Sequence, residues 1–399
     1  MKKVTIIGTG LGLHTMTLEA KEAVQQADVL LGAPRMIEPY KAQPKFSFPY
    51  YLPKDVAAFI EEYDAQTFAI LVSGDVGFHS AATRLADVLV DYDLHFIPGI
   101  STVNAFFAKL KLPWQEAAFI SMHGRDMHIV DAVRRNRLTF CLTGNNFKEI
   151  GMAMEKAGFD QIKMYVGENL GTENENIYET VAANLIKGDF SPLTVLLFVN
   201  ETFDDRTLCG IADKNFNRLT GIPMTKSAIR AMIISKLCLR PKDICWDIGA
   251  GTGSVTIELA LNAYCGQVYA VERRENAIPL IEQNARAFHI GNITTSQAKA
   301  SEVIETLPIP DAVFIGGSGG ELQKIIEVIL NKNAQAKIVV TAVTLETVTA
   351  VLNLFTKAGL EPDIAQINVS CAKKAGVLHM MEAQNPITIL SVNTSDGEK

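Results

Sequence analysis

Ile244-Cys245-Trp246-Asp247-Ile248-Gly249-Ala250-Gly251-Thr252-Gly253-Ser254 reads as an apolar strand that runs into a glycine-rich turn and then into an apolar helix. Glycine admits positive φ and lets the backbone approach a ligand closely, and a turn of this kind lies at the carboxyl end of its strand. A dinucleotide fingerprint spaces its glycines G-x-G-x-x-G, so that amides and a helix N-terminus meet a pyrophosphate. Here Gly249, Gly251 and Gly253 alternate, and the third comes one residue early. Asp247 stands just before the turn, where it repels a pyrophosphate and suits a cationic ligand. One strand later, residues 268–271 end in Glu272, a carboxylate placed to accept hydrogen bonds from ribose hydroxyls. A further strand, 311–315, ends in Gly316-Gly317-Ser318-Gly319-Gly320, which leaves room for a bulky, flat molecule.

Outward from this stretch, a helix is expected over 226–237 and a strand over 244–247. Alternating helices and strands follow, ending in a strand at 387–392, the order of a doubly wound sheet. Upstream, short apolar runs at 4–7, 68–72, 119–121, 138–142, 163–166 and 195–199 alternate with helical patterns, which is again α/β organisation. Lys111-Leu112-Pro113-Trp114 interrupts that pattern and predicts two lobes with a cleft between them. The polar stretch around Asp204-Asp205-Arg206 and Asp213-Lys214-Asn215 separates the two patterns. The expected division is a first domain at 1–202, with lobes at about 1–112 and 113–202, a linker at 203–218 and a second domain at 219–399.

The 399 residues exceed one ordinary domain, and 48% hydrophobic with 20% charged residues suits packed cores rather than long disordered tails. Gly, Lys or Asp interrupts every apolar run before the length that a membrane span needs. The six cysteines are scattered, without the close pairs of zinc sites or disulfide frameworks, so a reducing, cytoplasmic setting is expected and no metal. A net charge of -7 and a pI near 5.6 disfavour a dedicated nucleic-acid binder, which gains from a basic face. Local Arg or Lys can still dominate a cleft that takes acidic small molecules.

The strand, the D-x-G-x-G-x-G turn and the second acid together resemble the signature of class I S-adenosylmethionine-dependent methyltransferases. The Asn-Pro-Pro-aromatic cluster with which such enzymes hold a planar amino group is replaced here by glycines. Pro223-Met224-Thr225-Lys226 with Arg230, Val271-Glu272-Arg273, residues 314–320 and Thr344-Leu345-Glu346-Thr347 narrow the resemblance to the decarboxylating precorrin methyltransferase domain, over residues 208–392. The resemblance implies that Thr225, Asp247, Gly249, Ala250, Gly251, Thr252, Gly253, Glu272 and Ala298 contact S-adenosylmethionine. It further implies a macrocycle beside Gly317 and Ser318, whose carboxylates Lys226, Arg230, Lys373 or Lys374 would hold.

In the first half, Gly8-Thr9-Gly10-Leu11-Gly12, Ser73-Gly74-Asp75-Val76-Gly77-Phe78 and Ile97-Pro98-Gly99-Ile100-Ser101-Thr102 each follow an apolar strand. With Ser121-Met122-His123-Gly124-Arg125, Leu142-Thr143 and residues 167–171 they resemble the tetrapyrrole methylases, in the C5-methylating branch, over residues 3–200. That resemblance implies cofactor contacts from Gly10, Gly74, Asp75, Val76, Phe78, Ser101, Thr102, Leu142 and Thr143. Asp75 also suits the N-cap of a following helix. Arg125 suits a bidentate clamp on a carboxylate, and His123 either a proton carrier or a loop hydrogen-bonder. Together the resemblances imply a two-lobed tetrapyrrole methylase fold followed by a Rossmann-like class I fold with a seven-stranded, mostly parallel sheet. They imply methylation of a corrin precursor at C5 and C15 with loss of carbon dioxide, one cofactor site per domain, and self-association. Two other readings stay open at this point. One is a nicotinamide-dependent oxidoreductase; the other is a methyltransferase of RNA or protein with an inert N-terminal binding module.

Overall fold

The computed structural model describes residues 1–41, 46–122, 128–206 and 208–393. The first sheet holds β1 (Lys3–Gly8), β2 (Val29–Gly32), β3 (Phe46–Phe48), β4 (Thr67–Val72) and β5 (Asp93–Ile97), in the order β3-β2-β4-β1-β5 and parallel throughout. A parallel sheet is covered on both faces, which is why its central strands are continuous apolar runs. Val4, Ile6, Phe68 and Ile70 pack on one side and Ile7, Ala69 and Leu71 on the other.

The second sheet holds β6 (Ala117–Ser121), β7 (Leu138–Leu142), β8 (Lys163–Glu168), β9 (Asn176–Val181) and β10 (Thr194–Val199), in the order β6-β7-β10-β8-β9. Only β6 and β7 run parallel; the remaining pairs are antiparallel. The chain crosses from the first sheet to the second through the helix Thr102–Leu110, which ends at Lys111 in the left-handed conformation, φ 54°. That helix buries Val103, Phe106 and Phe107 against Phe140, Val195 and Leu197 of the second sheet. Gly167 on β8 keeps this contact close, because a Cβ there would lie 2.6 Å from the Phe106 ring.

The third sheet holds β11 (Ile244–Ile248), β12 (Gln267–Glu272), β13 (Ile293–Gln297), β14 (Ala312–Ile315), β15 (Lys337–Ala342), β16 (Asp363–Ile367) and, after a hairpin of β17 (Ser370–Ala375) and β18 (Leu378–Ala383), β19 (Ile387–Val392). Its order is β13-β12-β11-β14-β15-β19-β16, parallel as far as β15, with β19 antiparallel to both neighbours. The winding reverses at β11, and the crevice beyond the carboxyl ends of β11 and β14 is where such sheets take ligands. One face buries Ile229, Ile233 and Leu237 of the helix Ser227–Leu237, and the other buries Trp246, Ile325, Ile329 and Phe355.

The stretch expected as a linker is not a free connection. Ile211 and Phe216 are buried in the core of the third sheet, and the amides of Gly210 and Ile211 donate to Glu258 at 2.8 and 2.9 Å. Its charged residues mark a surface, but two apolar side chains among them find a long-range pocket. Among the described residues no helix is long and apolar enough to cross a membrane.

Candidate functional site

A cavity of about 270 Å³ opens at the carboxyl ends of β11, β12 and β14. Of the expected residues, Gly249, Glu272, Ala298, Gly317 and Ser318 line it. Gly249 sits at φ 79°, and a Cβ there would stand 2.7 Å from the Gly317 carbonyl and 2.8 Å from its amide. The β11 and β14 loops therefore touch backbone to backbone, which only glycine allows. The segment at 221–226 borders the same cavity through Pro223; a Cβ on Gly251 would meet the Pro223 carbonyl at 2.7 Å.

Glu272, 7% exposed, accepts from the Gly251 amide at 2.9 Å with Oε2 and from the Arg274 amide at 3.0 Å with Oε1. A carboxylate offers about four lone-pair sites, so Glu272 braces the loop and still has acceptor capacity for a ligand. Asp247 is different. It was expected to face a cationic ligand, yet it lies wholly buried beneath the loop, where Oδ2 accepts from Thr256 Oγ1 at 2.5 Å and Oδ1 has no partner among the described residues. Burial, and secondarily the charge of Glu272, push its carboxyl up from 3.8 to about 7, against the lowering effect of Thr256. Thr252 Oγ1 is likewise buried without a partner among the described residues, and Ala250 and Gly253 lie in the loop, Gly253 as the N-cap of the helix Ser254–Asn262.

Arg230 is the clearest correction. Expected to reach a ligand carboxylate, it is 0% exposed and its donors are taken. Nε lies 2.7 Å from Glu258 and Nη1 3.0 Å from Asp213, and the guanidinium also donates to the carbonyls of Thr225 and Ile211. Its work is to fix Thr225 and the former linker onto the helix Ser254–Asn262. Lys226 is half-exposed, with Nζ 3.8 Å from Asp213. Lys373 and Lys374 lie on the exposed hairpin, Lys373 at 3.4 Å from Glu382, not among the cavity residues. The cavity's basic lining comes instead from Arg273, Arg274 and Lys299, faced by Glu321. Arg274 donates to the Gly221 carbonyl at 2.7 Å, and Ser301 holds the Glu321 carboxyl below its usual value. The adjacency of Arg273 and Arg274 to Glu272 was the available sequence signal.

In the first half a cavity of about 480 Å³ lies between the first two sheets, lined by Gly10, Thr102, Leu142 and Thr143 among the expected residues. Gly10 and Gly74 exchange amide-carbonyl bonds of 3.1 and 2.9 Å, which joins the first two loops. Asp75 is not an N-cap, since the next helix begins only at Ala82; its carboxylate accepts from the amides of Gly77 at 2.8 Å and Gly99 at 3.2 Å and so ties the second loop to the third. Ser101 caps the helix Thr102–Leu110 by accepting from the Asn104 amide at 3.1 Å. Val76 packs into the first core and Phe78 lies edge-on to Phe119 at 5.6 Å. Gly74, Asp75, Val76, Phe78 and Ser101 are not among the lining residues. His123 and Arg125 lie outside the described residues.

The sheet reversal, the glycine loop at its crevice and the braced acid beyond it make this an α/β fold with its cavity where such sheets take ligands. Residues 218–394 match the model of the precorrin methyltransferase domain, and residues 3–186 match that of the tetrapyrrole (corrin/porphyrin) methylases. A probable cobalt-precorrin-6B C(15)-methyltransferase (decarboxylating) of Pyrobaculum calidifontis is 38% identical over 184 residues, 46% of this chain and 94% of that one. A precorrin-6Y C(5,15)-methyltransferase [decarboxylating] of Sinorhizobium sp is 25% identical over 397 residues, 96% of this chain and 95% of its own. A solved precorrin-6y C5,15-methyltransferase from Geobacter metallireducens is 36% identical, covering 46% of this chain and 96% of that chain, with a TM-score of 0.44. The chain is a methyltransferase, and it belongs to the precorrin methyltransferase family. Enzymes of this kind take their methyl group from S-adenosylmethionine.

Proposed function

We propose that the chain methylates C5 and C15 of precorrin-6B, or of its cobalt form, and releases the carboxyl group of the ring C acetate as carbon dioxide, as a step of cobalamin synthesis. In this reading residues 1–202 are a tetrapyrrole methylase domain that serves C5, and residues 219–399 are a class I domain that serves C15. Each has its own S-adenosylmethionine site. The observation that carries the reading is the pair of cavities, one per half, at glycine-lined strand ends, in a chain that aligns along 96% of its length with a C(5,15)-methyltransferase.

The C-terminal residues fit the cofactor. Glu272 lines the cavity with acceptor capacity to spare, and Asp247 Oδ1 and Thr252 Oγ1 are buried acceptors without donors among the described residues. Gly249, Glu272 and Ala298 would hold it, with Asp247, Thr252 and Thr225 behind them; in the first half Gly10, Thr102, Leu142 and Thr143 would do so. The bound sulfonium supplies an electrophilic methyl group. What the chain contributes is alignment and exclusion of water, an effect that can amount to ~7–11 kcal/mol. The glycines at 316–320 leave a flat face for the macrocycle, and Arg273 and Lys299 carry the charge that meets its acidic arms. When carbon dioxide leaves, the acetate carbon–carboxylate bond breaks and its electron pair stays on a carbon conjugated with the macrocycle. The ring is thus its own electron sink, a proton from solvent completes the methyl group on the carbon left behind, and the protein holds the macrocycle in place. Self-association belongs to the same reading, supported by the hairpin of β17 and β18, exposed throughout and presenting Val377, Leu378, Met380 and Met381.

Incubation with precorrin-6B or its cobalt form and labelled S-adenosylmethionine tests the proposal by product mass. The expected change is two added methyl groups less one carbon dioxide. A product without added methyl groups would overturn it.

A further inference from the structure

We propose that Arg35 holds a carboxylate in the N-terminal cavity, either an acidic arm of the methyl acceptor or the methionine carboxylate of the cofactor; the inference rests on reading that cavity as a methyl-transfer site. Among the described residues Arg35 is the one charged side chain that lines the cavity of about 480 Å³. The remaining wall is neutral and largely apolar, with Leu11, Leu13, Met16, Leu142 and Leu193 among its members. The C-terminal cavity, by contrast, mixes cations with Glu272 and Glu321.

The guanidinium of Arg35 is exposed and makes no ion pair or hydrogen bond among the described residues, so its five N–H donors are available. Its backbone, however, is well fixed. Pro34 opens the short helix Pro34–Ile37, Ile37 is 3% exposed, and the neighbouring Met36 sulfur accepts from Thr9 Oγ1 at 3.3 Å. Tyr40, 7% exposed, donates its hydroxyl to the Met16 sulfur at 3.3 Å just beyond. A fixed base with a free planar head is the arrangement in which a guanidinium loses least on taking a carboxylate bidentately.

The test uses the full chain with R35M and R35K beside the wild type. Methyl addition without carbon dioxide loss is followed while acceptor and S-adenosylmethionine are varied in turn. R35M is expected to raise one of the two KM values about tenfold, with R35K between it and the wild type, since an ammonium keeps the charge but not the fork. A rise in the acceptor KM assigns the carboxylate to the macrocycle, and a rise in the cofactor KM assigns it to the methionine end. An unchanged melting temperature shows that the fold is intact. Both KM values within about twofold of wild type in R35M, while the wild type adds its methyl groups, would overturn this inference alone. A wild-type chain that adds none overturns it together with the function on which it rests.

Discussion

Asp247 shows how one residue can set stability against function. Its folded-state pKa is raised from 3.8 to about 7, so between those values the folded chain binds more proton than the unfolded one. Stability from this group therefore falls as pH rises through that window, and the full cost persists above about 7. Asp247→Asn removes the charge and is expected to raise the melting temperature at pH 8, by an amount on the order of 2–4 kcal/mol of stability, with the gain fading near pH 4. The same variant should bind S-adenosylmethionine more weakly, because one carboxylate oxygen beneath the glycine loop becomes an NH2 group, which donates where the carboxylate accepts and so disturbs the loop that borders the cavity. Scanning calorimetry across pH with and without cofactor checks both; a variant less stable than wild type at pH 8 refutes the argument. Arg230 makes the opposite point. A guanidinium in a sequence motif reads as a ligand clamp, but at 0% exposure between Glu258 and Asp213 it is spent on the protein's own architecture.

At the scale of elements, the β11 and β14 loops meet so closely that their glycines are not interchangeable. Gly249 at φ 79° has Gly317 backbone atoms within 3.0 Å of any added Cβ, whereas nothing lies within 4 Å of a Cβ on Gly317. Gly249→Ala must push the loops apart and carry a strained residue, at about 1 kcal/mol for the conformation alone. It should weaken cofactor affinity about tenfold or more and lower the melting temperature. Gly317→Ala should fold as well as wild type and retain cofactor affinity while raising the KM for the macrocycle. Calorimetric titration of both variants decides this, and equal effects on cofactor binding would refute it.

For the whole molecule, the two halves are docked by specific contacts. Arg286 reaches Asp160 at 2.9 Å, His289 Nδ1 lies 2.9 Å from the Ala157 carbonyl, and its ring stacks on Phe159 with centroids 4.3 Å apart. The Arg135 guanidinium lies 4.2 Å over the Tyr264 ring, and a Cβ on Gly291 would stand 2.8 Å from Val130. Thermal unfolding of the wild type is expected as a single transition, and Phe159→Ala with Arg286→Ala should split it into two. Two resolved transitions already in the wild type would show that the halves are energetically independent.

The sequence alone determined what is local. Apolar runs located the central strands, alternating glycines at 249, 251 and 253 located the crevice, and Lys111-Leu112-Pro113 marked the passage between the first two sheets. Backbone conformation and side-chain periodicity are properties of a few neighbouring residues, so a linear reading can recover them. Tertiary structure decided what depends on partners distant in the chain. It buried Arg230 and Asp247, used Asp75 and Ser101 on backbone amides, drew Ile211 and Phe216 into the third core, and set Arg35 and Arg273 at the cavities. Whether a charge pairs, hides or faces a ligand depends on what the fold brings beside it, and the local pattern carries no trace of that.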